Sequence, residues 1–166
     1  MCFSHMERAM NARALITSTG VKRVNKLNYL SNILQHADSL VLQEAHSSRE
    51  SFLASTRFLD SKFLIVFSPG SRPGIGGAAF FLSREWIARN QAECTHIVFV
   101  PGRVLRNEIK TLLFIVIIWN VHNMDIRSGD MIRISKQIAI YRKRTFDEPT
   151  KHVTFLAGDL NHQFPG

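Results

Sequence analysis

The amino-acid sequence predicts a layered α/β sandwich with mixed, largely antiparallel sheets. Apolar runs of strand length outnumber the helical patterns, and turn residues join several of these runs into hairpins. Two amphipathic helices are expected to form crossover connections between strands. With 166 residues, of which 45% are hydrophobic and 20% charged, the chain has the size and composition of one globular domain. No internal repeat or low-complexity linker divides it.

The first predicted helix covers residues 26–36, where Leu27, Leu30, Ile33 and Leu34 recur at helical spacing with polar residues between them. Short apolar runs bounded by Gly, Pro and Ser predict strands after it. These predicted strands are residues 39–42, 63–67, 78–82, 95–100, 104–109 and 112–121.

Turn residues favour hairpins within this set of strands. The Gly-rich stretch 70–77 precedes the strand at 78–82, and Pro101-Gly102 joins the strands on either side of it. A second amphipathic helix follows at residues 126–146, with Ile134, Ile138 and Tyr141 on one face. Residues 153–157 are the last predicted strand.

The charge balance favours anionic partners. The formal net charge is +8 and the isoelectric point is near 10.1, which suits nucleic acid, although surplus Lys and Arg also serve solubility. Cys2 and Cys94 lie far apart in the sequence and suggest neither a disulfide framework nor a thiolate metal site, so we expect a reducing compartment. Residues 1–10 lack the apolar core of an export signal, and the apolar run 112–119 is too short to cross a membrane. We therefore expect an intracellular protein without a membrane anchor, in the nucleus or the cytoplasm.

Three apolar runs end in small polar clusters, at residues 40–44, 118–122 and 155–161. In open α/β sheets, ligands bind beyond the carboxyl ends of strands, so the three clusters are expected to converge on one site. Asn120 and His122 lie two residues apart, so strand geometry lets both side chains point to the same side. The same spacing separates Asp159 and Asn161, and Gly158 before them leaves room for a close approach or a turn.

These segments resemble a known family. The string Ala-Asp-Ser-Leu-Val-Leu-Gln-Glu at 37–44, the Asn-Val-His at 120–122 and the Gly-Asp-Leu-Asn at 158–161 are similar to three ordered motifs of the endonuclease/exonuclease/phosphatase superfamily. That superfamily includes apurinic endonucleases, deoxyribonuclease I and the endonuclease domains of retroelements. Residues 76–79 and 101–106 also resemble intervening family segments. The resemblance implies an irregular segment at residues 1–12 and a partial domain of this type at 13–166.

The resemblance assigns a role to each motif residue. Glu44 would hold Mg²⁺ or Mn²⁺, and Asp159 would orient or deprotonate the attacking water. Asn161 would position that water or the phosphate, His122 would contact the phosphate as a donor, and Asn120 would support this geometry. The implied activity is that of a metal-dependent phosphodiesterase or endonuclease-like hydrolase acting on nucleic acid. A small phosphorylated substrate, and a catalytically dead fragment or basic nucleic-acid-binding module, are the alternatives.

Two departures from the family pattern accompany the resemblance. The family's first strand carries an Asn near the metal, whereas residues 14–20, which would occupy that place, contain none. The family domain also continues past its Gly-Asp-x-Asn motif, which implies that the fold is C-terminally incomplete here and that this fragment could be inactive alone. A partner chain supplying the missing strands is therefore a further expectation. His46 is expected to be exposed and structural, and the basic run 142–144 to be a solvated helix face.

Overall fold

Two mixed β-sheets form the centre of the computed structural model, which describes residues 8–11, 21–72, 74–148 and 151–158, with side chains from residue 21 onward. The strands are β1 Arg8–Asn11, β2 Ser39–Gln43, β3 Phe63–Ser68, β4 Ala78–Ser83, β5 Glu93–Val100, β6 Val104–Lys110, β7 Ile115–Val121 and β8 His152–Ala157. The helices are α1 Val21–Leu34, α2 Arg49–Thr56, α3 Arg84–Asn90 and α4 Ser128–Asp147.

Each sheet has four described strands. The first has the order β1-β2-β4-β3 and the second β5-β6-β7-β8. Within them, β1 runs parallel to β2 and β7 runs parallel to β8, while the other four neighbouring pairs are antiparallel. The prediction of a layered α/β sandwich with mixed, largely antiparallel sheets is confirmed.

The core consists of three clusters of buried apolar residues. They lie on different faces of the sheets, because successive side chains of a strand point to opposite sides. On β2, Val41 faces the second sheet and packs in the same cluster as Leu105 of β6 and Ile118 of β7. Its neighbours Leu40 and Leu42 face the other way, into the cluster that holds the buried leucines of α1 and Phe52 of α2. The buried Ile134 of α4 covers the outer face of the second sheet beside Trp119 and Val121. Both faces of each sheet thus carry buried apolar residues, although the edge strand β5 is mostly exposed.

Most predicted elements are confirmed, and the differences have local causes. The prediction that residues 1–12 are irregular is wrong at Arg8–Asn11, because pairing with β2 makes a strand of a segment without apolar alternation. The stretch 14–20, where the first strand was expected, lies outside the described residues. The short helices α2 and α3 were not predicted; serine side chains cap them, with Ser48 accepting from Ser51 N and Ser83 from Trp86 N, each at 3.2 Å.

In the part of the chain that the structure describes, no helix combines the length and the apolar character needed to cross a lipid bilayer.

Candidate functional site

The two sheets meet where β2 and β7 end, and buried amides join them there. The Gln43 side chain donates from Nε2 to Asn120 Oδ1 and to the Val121 carbonyl, both at 2.8 Å. Asn120 Nδ2 donates in turn to the carbonyl oxygens of Leu42 and Ala79, at 3.2 Å each. Asn120 is fully buried, so its amide serves to hold the two strand ends together.

Glu44 follows β2 directly and places a carboxylate at this junction, with only 5% of the residue exposed. Three nitrogen-bearing side chains surround it. His122 Nε2 lies 3.4 Å from Oε1, Arg103 Nη1 lies 3.7 Å from Oε1, and His46 Nε2 lies 3.8 Å from Oε2. A carboxylate this deeply buried needs such partners, because isolated burial of its charge would be costly.

Arg103 precedes β6 and lies beside His122, the first residue after β7. The His122 amide donates to the Arg103 carbonyl at 2.8 Å, which continues the pairing of the two strands. Arg103 Nη1 hydrogen-bonds His122 Nδ1, and Arg103 Nη2 lies 3.7 Å from the exposed carboxylate of Asp125. A mostly buried guanidinium thus links Glu44, His122 and Asp125.

The turn before β6 fixes this position of Arg103. Gly102 N donates to Ser68 Oγ at 2.9 Å, and the Gly102 carbonyl accepts from Gly77 N at 3.0 Å. Gly102 has a φ of +66°, and a Cβ there would lie 2.5 Å from Gly70 Cα, so this contact requires glycine. The β5–β6 turn of the second sheet is therefore bound to the β3–β4 loop of the first.

Backbone strain is concentrated at the same place. Glu44, His46 and Asp125 have φ values of 55°, 49° and 58°, in the left-handed region that residues other than glycine seldom adopt. The amides of Ala45 and His46 donate to the carbonyls of Gly77 and Gly76, which holds this turn. Strained residues of this kind, at a cost of about 1–3 kcal/mol each, cluster at functional sites.

The end of β8 reaches the same junction through Gly158. A Cβ at Gly158 would lie 2.0 Å from Gln43 Nε2 and 2.2 Å from the Val121 carbonyl oxygen, and φ is +130°. Glycine is therefore required for β8 to approach β2 and β7. Asp159 and Asn161 follow it in the sequence but lie outside the described residues, so their placement stays a prediction.

β1 ends in an asparagine whose position next to the candidate site was not predicted from the sequence. Its last residue, Asn11, pairs with Gln43 in the parallel register, one position before Glu44. An Asn was sought at residues 14–20 because the apolar run there resembled a first strand. The pairing of Arg8–Asn11 with β2 places the backbone of Asn11 at the edge where the site lies.

Beside this junction, a cleft of about 420 Å³ opens next to Arg103. Arg72 and Arg127 also line it, together with Asp125 and Asp130. Three guanidinium groups along one cleft favour an anionic ligand, because arginine donates several hydrogen bonds in a geometry that matches phosphate oxygens.

The described residues fit a hard divalent cation at one point, the Glu44 carboxylate. Mg²⁺ prefers oxygen ligands, keeps several waters and is often held by one or two carboxylates together with substrate phosphates. No group of three or more His, Cys, Asp and Glu side chains in the described ranges is arranged to hold a metal. A metal bound here would therefore depend on Glu44, water and ligands from substrate or from residues outside those ranges.

The structure brings together three of the five predicted site residues, Glu44, Asn120 and His122. Two neighbours were missed as site residues. His46 was expected to be exposed, yet its side chain is 25% exposed and faces Glu44. Arg103 lies in the segment 101–106 that resembled the family, but its type and spacing alone did not mark it as part of the site.

No family profile matches the sequence, and no curated protein matches it significantly. Solved structures do share its fold. A truncated TDP2 from Caenorhabditis elegans has a TM-score of 0.61 at 19% identity, over 96% of this chain and 62% of that one. The AP endonuclease LMAP from Leishmania major has a TM-score of 0.59 at 17% identity, over 94% of this chain and 54% of that one.

A D. rerio TDP2 complexed with a single-strand DNA product has a TM-score of 0.57 at 18% identity, over 93% of this chain and 60% of that one. All three belong to the endonuclease/exonuclease/phosphatase superfamily, so the predicted resemblance is confirmed for the fold. The chain spans between half and two thirds of the length of these three structures.

Proposed function

We propose that this chain contributes to a metal-dependent phosphoester hydrolase whose substrate is nucleic acid. The observation that carries the proposal is the buried Glu44 carboxylate, held by His122 and Arg103 where β2 and β7 end. The shared fold supports it, because solved structures with this fold include an AP endonuclease and a TDP2 complexed with a single-strand DNA product.

Glu44 is the proposed ligand for Mg²⁺ or Mn²⁺. Such an ion, when bound, stabilises the negative charge that develops on phosphoryl oxygens during hydrolysis. Asn11 is a second proposed contributor, because its backbone pairs with the residue before Glu44. In the absence of an ion, the guanidinium of Arg103 balances the charge of the carboxylate, and His122 lies beside it.

The remaining residues would bind and orient the substrate. His122 donates a hydrogen bond to a phosphate oxygen, while Arg72 and Arg127 attract the phosphates that enter the cleft. Asp159 orients or deprotonates the attacking water, and Asn161 positions that water or the phosphate. The roles of Asp159 and Asn161 rest on the Gly-Asp-Leu-Asn motif alone.

The test is cleavage of a supercoiled plasmid and of an abasic-site oligonucleotide by the purified chain, with Mg²⁺ or with chelator. Glu44→Gln and Asp159→Asn are each expected to lower the rate by about 10²-fold or more, since each removes a carboxylate used in the reaction. Glu93→Gln is the matched control, because Glu93 is an exposed acid at the start of β5. Nicking that persists in chelator or in both site variants would contradict the proposal.

A second candidate function is a basic nucleic-acid-binding module without turnover. The net charge of +8 favours it, and so do the exposed Arg142, Lys143 and Arg144 on α4. This candidate predicts DNA binding that weakens steeply with salt and is unchanged in Glu44→Gln, because binding to phosphates releases counterions. Metal-dependent cleavage by the chain would eliminate it.

A further inference from the structure

We propose that Arg103 is a positioning residue that fixes the tautomer of His122, so that His122 presents an N–H donor from Nε2 toward Glu44 and the ligand. The inference begins with the hydrogen bond between Arg103 Nη1 and His122 Nδ1. A guanidinium has five N–H donors and no acceptor. His122 Nδ1 must therefore accept, and the hydrogen of the neutral ring lies on Nε2.

The opposite side of the ring agrees with this assignment. His122 Nε2 lies 3.4 Å from Glu44 Oε1, and a carboxylate oxygen accepts. Guanidinium, imidazole and carboxylate thus form one directional series, in which Arg103 donates to His122 and His122 points its remaining N–H toward Glu44. In the other tautomer, the N–H of His122 Nδ1 would face the N–H of Arg103 Nη1, and two donors would oppose each other.

Burial strengthens the preference for this tautomer of His122. Arg103 and His122 are 7% and 3% exposed, so water offers little alternative hydrogen bonding to either ring nitrogen. The backbone bond from His122 N to the Arg103 carbonyl, at 2.8 Å, and the glycine turn before β6 keep the two side chains adjacent. A mismatched donor in such a place leaves a buried polar group unsatisfied, at about 1–3 kcal/mol.

The consequence for chemistry rests on the proposed function. A His122 ring held with hydrogen on Nε2 acts toward a phosphate as a neutral hydrogen-bond donor, and its Nε2 has no free lone pair with which to take a proton. Arg103 would then act in two ways, through its own charge near Glu44 and through the orientation of its neighbour.

The tautomer is measured directly by ¹⁵N NMR of the ring nitrogens in the chain labelled with [¹⁵N]histidine, without substrate or metal. His122 is assigned by the loss of its signals in His122→Gln. The spectra are recorded at about pH 8, where histidine is ordinarily neutral. We expect unprotonated Nδ1 and protonated Nε2.

Because Glu44 also favours hydrogen on Nε2, the contribution of Arg103 is isolated in a Glu44→Met background, which has no carboxylate or amide oxygen at this position. There, Arg103 is expected to keep Nε2 protonated, and adding Arg103→Met should raise the population of the tautomer with hydrogen on Nδ1. Adding Arg103→Lys should preserve the wild-type pattern, because an ammonium group also donates and cannot accept. Arg106→Met is the matched control, since Arg106 is a buried arginine on β6 that contacts Tyr141.

Hydrogen on Nδ1 in the wild-type chain or in Glu44→Met would overturn the proposal. An unchanged Nε2 tautomer after Arg103→Met in that background would overturn it too. The measurement uses no reaction, so a failure of DNA cleavage leaves the tautomer result intact, and the two proposals are distinguishable. Circular dichroism of each variant identifies any that has lost its fold, and if the Arg103 variants have lost it, the Glu44→Met spectrum decides.

Discussion

Gln43 at the end of β2 donates a hydrogen bond of 2.8 Å to Asn120 on β7, and this bond connects the two sheets beside the candidate site. Glu44 follows Gln43, and His122 lies two residues after Asn120. The amide pair therefore sets the separation between the carboxylate and the imidazole of the site. Both amides are buried, which makes the connection costly to break.

Removing this connection should destabilise the fold. Asn120→Ala deletes one hydrogen bond with Gln43 and leaves the Leu42 and Ala79 carbonyls without their side-chain donor. We expect the free energy of unfolding to fall by about 2–4 kcal/mol in urea denaturation. Asn28→Ala, at an exposed position of α1, should change it by less than about 0.5 kcal/mol. A similar small change for Asn120→Ala would show that the amide does not join the sheets.

Gly158 should tolerate no side chain, in contrast to Gly129. Gly158→Ala would drive its Cβ against Gln43 Nε2 and the Val121 carbonyl at a φ of +130°, so we expect more than about 2 kcal/mol of lost stability. Gly129, in the first turn of α4, has no heavy atom within 4 Å of a built Cβ. Gly129→Ala should leave stability unchanged or raise it by up to about 1 kcal/mol. Thermal and urea unfolding of both variants gives the comparison, and equal effects would argue against the close packing of β8.

Secondary structure is easiest to predict from the sequence for strands that are buried on both faces, because such strands are continuous apolar runs. β2 is such a case, since its five residues are all buried. α3 is the opposite case, because it has seven residues, of which Trp86 is the buried one, and no helical periodicity arises in so short a segment. β1 has no apolar alternation and depends on pairing with β2, a contact between residues distant in sequence.

The residues of the candidate site also differ in whether the sequence predicted them. Glu44 and His122 were predicted together because both follow apolar strands, and strand ends converge at a sheet edge. Arg103 was not, since its position depends on contacts of the Gly102 turn with the β3–β4 loop of the other sheet. His46 was expected to be solvated, but its left-handed backbone conformation turns the side chain back toward Glu44. Neither feature has a local sequence signal.

A buried asparagine on β6 should be replaceable with a gain in stability. Asn107 is fully buried on the same face as Leu105 and Ile109, and its side-chain nitrogen and oxygen have no hydrogen-bond partner among the described residues. Asn107→Leu removes both unsatisfied groups and keeps the same number and branching of side-chain heavy atoms, so we expect the free energy of unfolding to rise by about 1–3 kcal/mol. Asn120→Leu, in which the amide is hydrogen-bonded, should lower it. A loss of stability for Asn107→Leu in urea denaturation would indicate that the amide has a partner, such as an interior water.

The thiol of Cys94 on β5 should be unreactive in the folded chain. Burial raises the pKa of Cys94 to about 11, because the thiolate is poorly solvated there. Since the thiolate is the reacting form, modification by a disulfide reagent at about pH 8 should be about 100-fold slower than in the urea-unfolded chain, where the pKa is about 8.5. A Cys2→Ser background assigns the signal to Cys94, and equal rates in the folded and unfolded chains would contradict the burial.

The same pKa shift predicts how stability depends on pH. Below about pH 8.5, Cys94 is protonated in both the folded and the unfolded chain, so it contributes no pH dependence. Between that value and about 11, the unfolded chain loses the thiol proton while the folded chain keeps it, so the free energy of unfolding falls as the pH rises. Cys94→Ala has no thiol to titrate and should lack this part of the decline. Urea denaturation of the Cys2→Ser chain with and without Cys94→Ala, across this range, isolates the contribution, and parallel curves would show that the thiol titrates normally.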